Sequence, residues 1–494
     1  MPLVANAVDF RGIMKSCGYK NVLLSEEGTE MGKGSRIKYF RTGCGTVQNN
    51  FMGDKCMKQN TTILFVVHNE KEKLQISIEA IRNCIIESRL QIVVIDNASN
   101  DGTKEWLSEQ QDVAFAIEDK KINNWGLIIN EAMEVFGIDG DIFLLQPGYQ
   151  VSESCINELK KTLYAEEKIA AVGPLINGKY FEHDFVTYPK DDETVKAKRV
   201  LGLMESAVMI RGDALDEIKF DTTYSLFKYV IIDYLLRLIK AGKHIYCTAG
   251  ADVVCHDMEK SFFNHTDEQN DIIKIRDMWG MQYFSTGNSL LVDNIVEDCD
   301  VPVSVLEIGC DCGATLLEVK NRYPNAEIYG CEINEKAACI ARSVAEVEIG
   351  NIEEYNLPFK AGKFDYILFG DVLEHLHNPA EVIRYCRSLL KEKGHIVASI
   401  PNLMHISVVK DLLEGNFTYT EVGLLDKTHI HFFTLYEIIR MFAGEQYNVE
   451  GVINTFVPIT QEEEMMLEKI MSIVQHKERW MFETFQYVVK AQKQ

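Results

Sequence analysis

The sequence predicts two α/β domains in tandem, each built on a parallel sheet with helical crossovers. Three observations point to this. The chain has 494 residues, whereas one domain ordinarily takes roughly 150. Short apolar runs alternate with helix-like stretches twice over, once from Thr61 and again from Val301, as they do where strands are joined by crossover helices. Between the two alternations lies EKSFFNHTDEQNDIIKIRDMWGMQYF, polar and then amphipathic, which reads as a linker entering a helix. No internal repeat period is visible, which sets repeat architectures aside.

In chain order, residues 1–59 are rich in Gly, Lys and Asn, carry little periodicity, and are expected to be a loosely packed extension. Residues 60–258 form the first domain, with strands in TILFVV, QIVVID, VAFAIE and DIFLL. Residues 259–300 are read as a linker and lead-in helix. The second domain, 301–494, has strands in VSVLEIG, AEIYGCE, VEIGN, FDYILFG and GHIVASI, helices over 337–344 and 380–390, and a last strand near 484–490.

Composition excludes several function classes. With 46% hydrophobic and 25% charged residues the chain is globular. A formal net charge of −23 opposes binding to a polyphosphate backbone, so nucleic acid is not an expected partner. The apolar runs are strand-sized, far short of the ~20 residues a membrane helix needs. The opening MPLVANAVDFRGIMKSCGYK lacks a secretion signal, and thirteen Cys without paired spacing suit reduced thiols, so a cytoplasmic location is expected. Cys310 and Cys312 lack a second pair, so no zinc site is expected there, and no metal ligands are assigned.

The second domain carries the clearest chemistry. Its first strand runs into Glu307-Ile308-Gly309-Cys310-Asp311-Cys312-Gly313, where glycines allow backbone angles closed to other residues and let a ligand approach the main chain. The next strand ends at Glu332, a carboxylate able to accept both hydroxyl hydrogens of a ribose. Gly309 and Gly313 are separated by three residues rather than set in Gly-x-Gly-x-x-Gly, which disfavours a nicotinamide cofactor.

Through LEIGCDCG, YGCEIN, GNIEEYNLPF and FDYILFGDVLEHLHNPAEVI, in that order, this region resembles the class I methyltransferases, whose fold is a Rossmann-like seven-stranded sheet. The resemblance implies S-adenosyl-L-methionine (SAM) as cofactor. It assigns Glu307, Gly309 and Gly313 to the methionine portion, Glu332 to the ribose, Asn351 and Ile352 to the adenine, and Asp371 to the methyl-facing side. One departure is Asp311, where the family usually has Gly. A hydroxyl acceptor needs a base; His375 is the first candidate, with His429 and His431 of KTHIHFF as others.

The first domain resembles family 2 glycosyltransferases of the GT-A fold, which bind nucleotide-diphospho-sugars. The matching stretches include ILFVVHNE, VVIDNASNDGT, NNWGLIINEAM, LLQPGYQV, AAVGPLI, SAVMIRGDAL and YVIIDYLLRLIKAGKHIYCTAGADVVCHD. The resemblance assigns Asp96 to the nucleotide base and includes Asn97 and Asp101 in the nucleotide-sugar site. In LLQPGYQV, Gly148 stands where the family usually has a metal-binding Asp, so a divalent metal there is doubtful, with His256 as a remaining ligand candidate. Val230 and Ile231 replace an acidic pair. Asp233 is left as candidate catalytic base or, four residues before Arg237, as half of a helical ion pair.

The function expected is SAM-dependent methylation of a sugar or glycan, with the glycosyltransferase-like domain holding a sugar, glycan or nucleotide-sugar at a degenerate site. Two alternatives stand beside it: a bifunctional enzyme of surface glycan biosynthesis, and a non-catalytic glycan-binding scaffold. The sequence carries no signal for oligomeric state.

Overall fold

A computed structural model describes residues 29–30, 37–41, 60–84, 89–177, 197–255, 265–280, 287–474 and 477–494. The chain divides into two compact units, 1–282 and 283–494.

In the first unit the described strands are β1 (Thr29–Glu30), β2 (Ile37–Arg41), β3 (Thr61–Val67), β4 (Leu90–Asp96), β5 (Val113–Glu118), β6 (Asp141–Leu145), β7 (Gln150–Val151), β8 (Ile169–Ile176), β9 (Ala197–Val200), β10 (Ala207–Ile210) and β11 (His244–Val254). They form one sheet in the order β1-β2-β5-β4-β3-β6-β10-β8-β11-β7, with β9 paired to β11. β5, β4, β3 and β6 run parallel, and β10 enters antiparallel to β6. β5 is buried along its whole length and reads as an apolar run up to its last residue, Glu118.

Two expectations change here. The extension supplies two strands, β1 at the sheet edge and β2 between it and β5, antiparallel to both, so it is not wholly loose. The linker expected over 259–300 is divided between the units. The helix His265–Trp279 belongs to the first, because the Asp271 carboxylate accepts the N–H groups of Ser225 and Leu226 at 2.8 Å and the Trp279 indole donates to Asp233 at 3.1 Å. The helix Ser289–Val292 belongs to the second, since Leu291, Val292 and Ile295 lie in that unit's core.

The second unit holds β12 (Ser304–Ile308), β13 (Glu327–Glu332), β14 (Glu346–Ile349), β15 (Phe364–Gly370), β16 (Leu390–Pro401), β17 (Tyr447–Phe456) and β18 (Thr484–Lys493). Their order is β14-β13-β12-β15-β16-β18-β17. The first five are parallel, and β18 is antiparallel to both β16 and β17. Alternation along the strands fills two cores. Leu306, Ile308, Ile367 and Phe369 pack on one face, and Val305, Tyr366 and Leu368 on the other. Chain order reverses between β12 and β15, and a crevice at the carboxyl ends of such strands is where open α/β sheets bind ligands. Gly309 and Asp371 follow those two strands directly.

Candidate functional sites

The turn after β12 is built by main-chain geometry. Gly309 and Gly313 have φ of +70° and +86°, and Asp311 between them has φ of +44°. L residues other than Asn and Asp rarely adopt that region, which accounts for Asp being tolerated where the resembled family has Gly. The glycines serve packing. A Cβ on Gly309 would lie 2.6 Å from Val372 Cγ2, and one on Gly313 3.2 Å from Ala341. The expectation that their missing side chains leave ligand space is therefore corrected: those two directions are filled by neighbouring protein.

Two carboxylates flank this turn. Glu332, 7% exposed at the end of β13, accepts the Asp311 N–H at 2.8 Å and the Asn334 N–H at 2.7 Å, one on each oxygen. It thus ties the turn to the neighbouring strand and retains further lone pairs for a donor. Glu307 is 4% exposed and its Oε2 has no hydrogen-bond partner. Burial, helped by the charges of Asp311 and Glu332, pushes its carboxyl up to about 8 against hydrogen bonds from Thr315 and the Leu316 amide. A buried carboxylate oxygen without a donor is costly unless a cation completes it.

Farther along the strand ends, Asn351 caps the short turn Ile352–Glu354 by accepting the Glu353 N–H at 3.0 Å. Ile352 is packed into the core with Leu306 and Ile308. Asp371, φ +54°, has its N–H bonded to Ser399 Oγ at 3.1 Å and its carboxylate to Gln486. It is reached by solvent yet walled by protein, and this desolvation lifts its carboxyl to about 6 in spite of those two partners. Asn288 reaches the same Ser399 hydroxyl at 3.4 Å. Asn288, Ser399 and Gln486 were not identified from sequence, since no motif marks them.

Beyond Asp371, Glu374 is 1% exposed with neither carboxylate oxygen bonded. Burial, then the charge of Asp371, pushes it well above the carboxylate range. Two of the three candidate histidines converge on it. His429 Nε2 lies 4.0 Å from Glu374 Oε1, and the His375 and His429 rings meet at 4.8 Å between centroids. His431 instead turns its Nε2 to the His377 carbonyl at 3.1 Å. Glu374 is a member of this site that sequence reasoning passed over, although it stands beside His375.

In the first unit, Asp96 ends β4 fully buried. Its Oδ1 accepts the Ser99 N–H at 2.8 Å while Oδ2 has no partner, and burial raises its carboxyl above the usual range. The other two expected ligands are engaged structurally. The Asn97 amide bonds both the N–H and the carbonyl of Ile122, at 2.8 and 2.9 Å. Asp101 accepts from the Thr103 and Lys71 N–H groups, at 3.1 and 2.9 Å, holding the turn that starts the helix Thr103–Glu109. Gly148 has φ of +92° and donates its N–H to Ser77 Oγ and the Lys73 carbonyl, with the Lys73 side chain packed 3.5 Å from its missing Cβ position. That position offers no side-chain ligand to a metal, and His256 lies outside the described residues.

Asp233 requires a correction as candidate base. It is 2% exposed, with Oδ2 bonded to Arg237 Nε at 2.7 Å and Oδ1 to the Trp279 indole at 3.1 Å. The ion-pair alternative is the arrangement observed, and both oxygens are already engaged. Val230 and Ile231 are wholly buried in the same helix.

Residues 282–452 match the methyltransferase domain family, and residues 62–132 match glycosyl transferase family 2. The chain joins a family 2 glycosyltransferase-like domain to a class I SAM-dependent methyltransferase domain. The methyltransferase domain is similar to the ubiquinone biosynthesis O-methyltransferase of Acinetobacter baylyi, 31% identical over 105 residues that make up 20% of this chain and 43% of that protein. Its counterpart from Shewanella pealeana is 26% identical over 163 residues, 32% of this chain and 68% of that protein. The chain therefore spans less than half the length of the Acinetobacter relative. A SAM-dependent methyltransferase structure from Archaeoglobus fulgidus aligns at 17% identity with a TM-score of 0.32, covering 45% of this chain and 98% of that one.

The methyltransferase domain's own residues fit the cofactor of that family. Glu307 offers the unpaired buried oxygen an ammonium would complete. Glu332 has lone pairs left for ribose hydroxyls.

Proposed function

We propose that this chain transfers a methyl group to an oxygen of a sugar or glycan, with the first domain holding a nucleotide-sugar or glycan at a site that has lost the means of glycosyl transfer. The observation that carries the methyl-transfer reading is the Glu307 carboxylate, buried and without a partner on Oε2, beside the Gly309–Gly313 turn and one strand from Glu332. SAM, when bound, supplies an electrophilic methyl on a sulfonium. Glu307 takes its ammonium and Glu332 its ribose, while the turn, its own N–H groups bonded to Cys331, Glu332 and Cys310, holds the two carboxylates in place. Asn351 holds the far end of the strand edge, and Asp371 marks the side from which the acceptor enters.

The acceptor hydroxyl meets the cluster of Glu374, His375 and His429, which assists the loss of its proton. An oxygen acceptor is also in keeping with relatives described as O-methyltransferases. In the first domain, Gly148 and the engaged Asp233 remove a metal ligand and a base, which supports binding without transfer. No described helix is long and apolar enough to cross a membrane. The buried thiols of Cys155, Cys247, Cys310, Cys331 and Cys386 favour a reducing, cytoplasmic setting.

A second reading has a phenolic acceptor. It is favoured by Phe417, Tyr419 and Phe432, whose rings cluster beside His429, with Phe432 at 6.2 Å from it. Incubation with methyl-labelled SAM and a panel of nucleotide-sugars, glycan extracts and simple phenols separates these. Label in a sugar product is the expected result. Label only in phenols, protein or lipid overturns the acceptor class, and no SAM binding at all overturns methyl transfer.

A further inference from the structure

We propose that Glu374, His375 and His429 form a binding site for one divalent transition-metal cation in the methyltransferase domain. Each residue presents one ligand atom, and these atoms lie within 4.8 Å of one another. Metal–ligand bonds of about 2.0–2.2 Å put ligand atoms at most ~4 Å apart, so the cluster closes onto an ion through side-chain shifts of well under an ångström or two.

Three independent features point to a cation rather than an ordinary polar cluster. First, both oxygens of Glu374 are buried and without hydrogen-bond partners, although the side chain faces a histidine. At 4.0 Å the Glu374–His429 pair is too long for a hydrogen bond, and neither Glu374 oxygen has another partner. Second, both histidines are oriented through the nitrogen remote from the cluster. His429 Nδ1 lies 3.2 Å from the Leu424 carbonyl and His375 Nδ1 3.2 Å from the Thr428 carbonyl. A carbonyl only accepts, and the Thr428 hydroxyl, also 3.2 Å from His375 Nδ1, gives its own proton to Asp426 at 2.6 Å, so each Nδ1 carries the proton and each Nε2 is left as a lone pair, which is how metal-ligating histidines are held. Third, the cluster is braced from both sides. The Glu374 carbonyl accepts the Ile430 and His431 N–H groups at 3.0 Å, fixing the 428–431 segment against the turn Leu373–His375.

Two imidazoles and one carboxylate favour a first-row transition ion, zinc foremost, over magnesium or calcium, which take oxygen ligands. Three protein ligands leave at least one coordination position open, the form of site that polarises an oxygen. That use rests on the reading of the domain as an oxygen methyltransferase. An ion held by these three residues would polarise the acceptor hydroxyl at its open position, and the hydroxyl's proton would pass to solvent. The oxygen then bonds the methyl carbon as the carbon–sulfur bond breaks with its electron pair remaining on sulfur.

The test uses the full-length, untagged, metal-stripped protein titrated with Co²⁺ and with Zn²⁺. The expected result is one tight equivalent, with a Co²⁺ spectrum of nitrogen and oxygen ligands free of thiolate charge-transfer bands. Glu374→Gln and His375→Ala should each weaken binding by at least about tenfold, while SAM affinity stays within about twofold of wild type. His375 is exposed and the Glu374 change keeps its shape, so neither variant should unfold the domain. Absence of binding at millimolar ion, a thiolate spectrum, or affinity unchanged in both variants overturns the proposal. Metal binding without SAM binding would leave this site standing and remove the methyl-transfer reading alone.

Discussion

Replacing Glu307 with Gln should stabilise the methyltransferase domain and weaken its cofactor binding at once. The Glu307 carboxyl rises from 4.5 to about 8 on folding, mainly through burial. A carboxyl raised in this way contributes stability that is complete below the unfolded value and is lost as pH climbs through the folded one. Between pH 4.5 and 7 the loss amounts to up to about 3 kcal/mol at 1.36 kcal/mol per unit. Gln does not titrate, so the variant should gain on wild type by up to that amount at pH 7 and by little at pH 4.5. Amide exchange of the strand Ser304–Ile308, measured at both pH values without ligand, reports this domain's opening separately from the other's. Calorimetry with SAM should show the opposite sign. Losing a charge-assisted bond to an ammonium costs roughly 1.5–3 kcal/mol, about 10- to 150-fold in affinity. Wild type should also release close to one proton per SAM bound near pH 7, and the variant none from this group. A Gln variant that is less stable at pH 7 than at pH 4.5 relative to wild type, or that binds SAM as well as wild type, would refute the reasoning.

Other perturbations follow from the same geometry. Gly309→Ala combines a φ of +70° with a 2.6 Å approach to Val372; it should cost about 2 kcal/mol or more, and Val372→Ala in the same chain should recover part of this in thermal unfolding. Asp233→Asn breaks a buried ion pair and should destabilise the first domain by about 3 kcal/mol while leaving methyl transfer unchanged; equal stability in chemical denaturation would contradict the structural role. Asp96→Ala should weaken binding of uridine diphosphate, and chelators should not affect wild-type binding, because position 148 carries no carboxylate. Metal-dependent turnover of a sugar nucleotide, lost in Asp96→Ala, would show an active glycosyltransferase instead.

Much of the fold was legible because parallel strands covered on both faces leave unbroken apolar runs. The stretches TILFVV, QIVVID, VAFAIE and DIFLL fall within β3 to β6, and VSVLEIG, AEIYGCE and FDYILFG contain or overlap β12, β13 and β15. The expected helices over 337–344 and 380–390 are observed as Glu335–Ala341 and Pro379–Leu389. What escaped depends on tertiary partners. β2, held between β1 and β5, is a five-residue stretch, Ile37–Arg41, too short to signal its pairing with β5. The helix Ser289–Val292 is a single turn that only the core around Leu291 makes part of the second domain. Within the site, the glycine turn and Glu332 were readable because their spacing follows from a strand–turn–helix–strand unit. The meeting of Glu374 with His429 was not, since the two are brought together across the loop between β16 and β17. Asp233 shows the converse. Its i, i+4 spacing to Arg237 left two roles open, and only the position of Trp279, 46 residues later, decides between them.

Equilibrium titration of the full-length chain with SAM, comparing wild type with Glu332→Gln, probes the cofactor site most directly. Saturable binding at one site, weakened about tenfold or more by a change that removes the acid's charge at the ribose end, is the expected result. No binding to wild type, or equal binding by the variant, would contradict it.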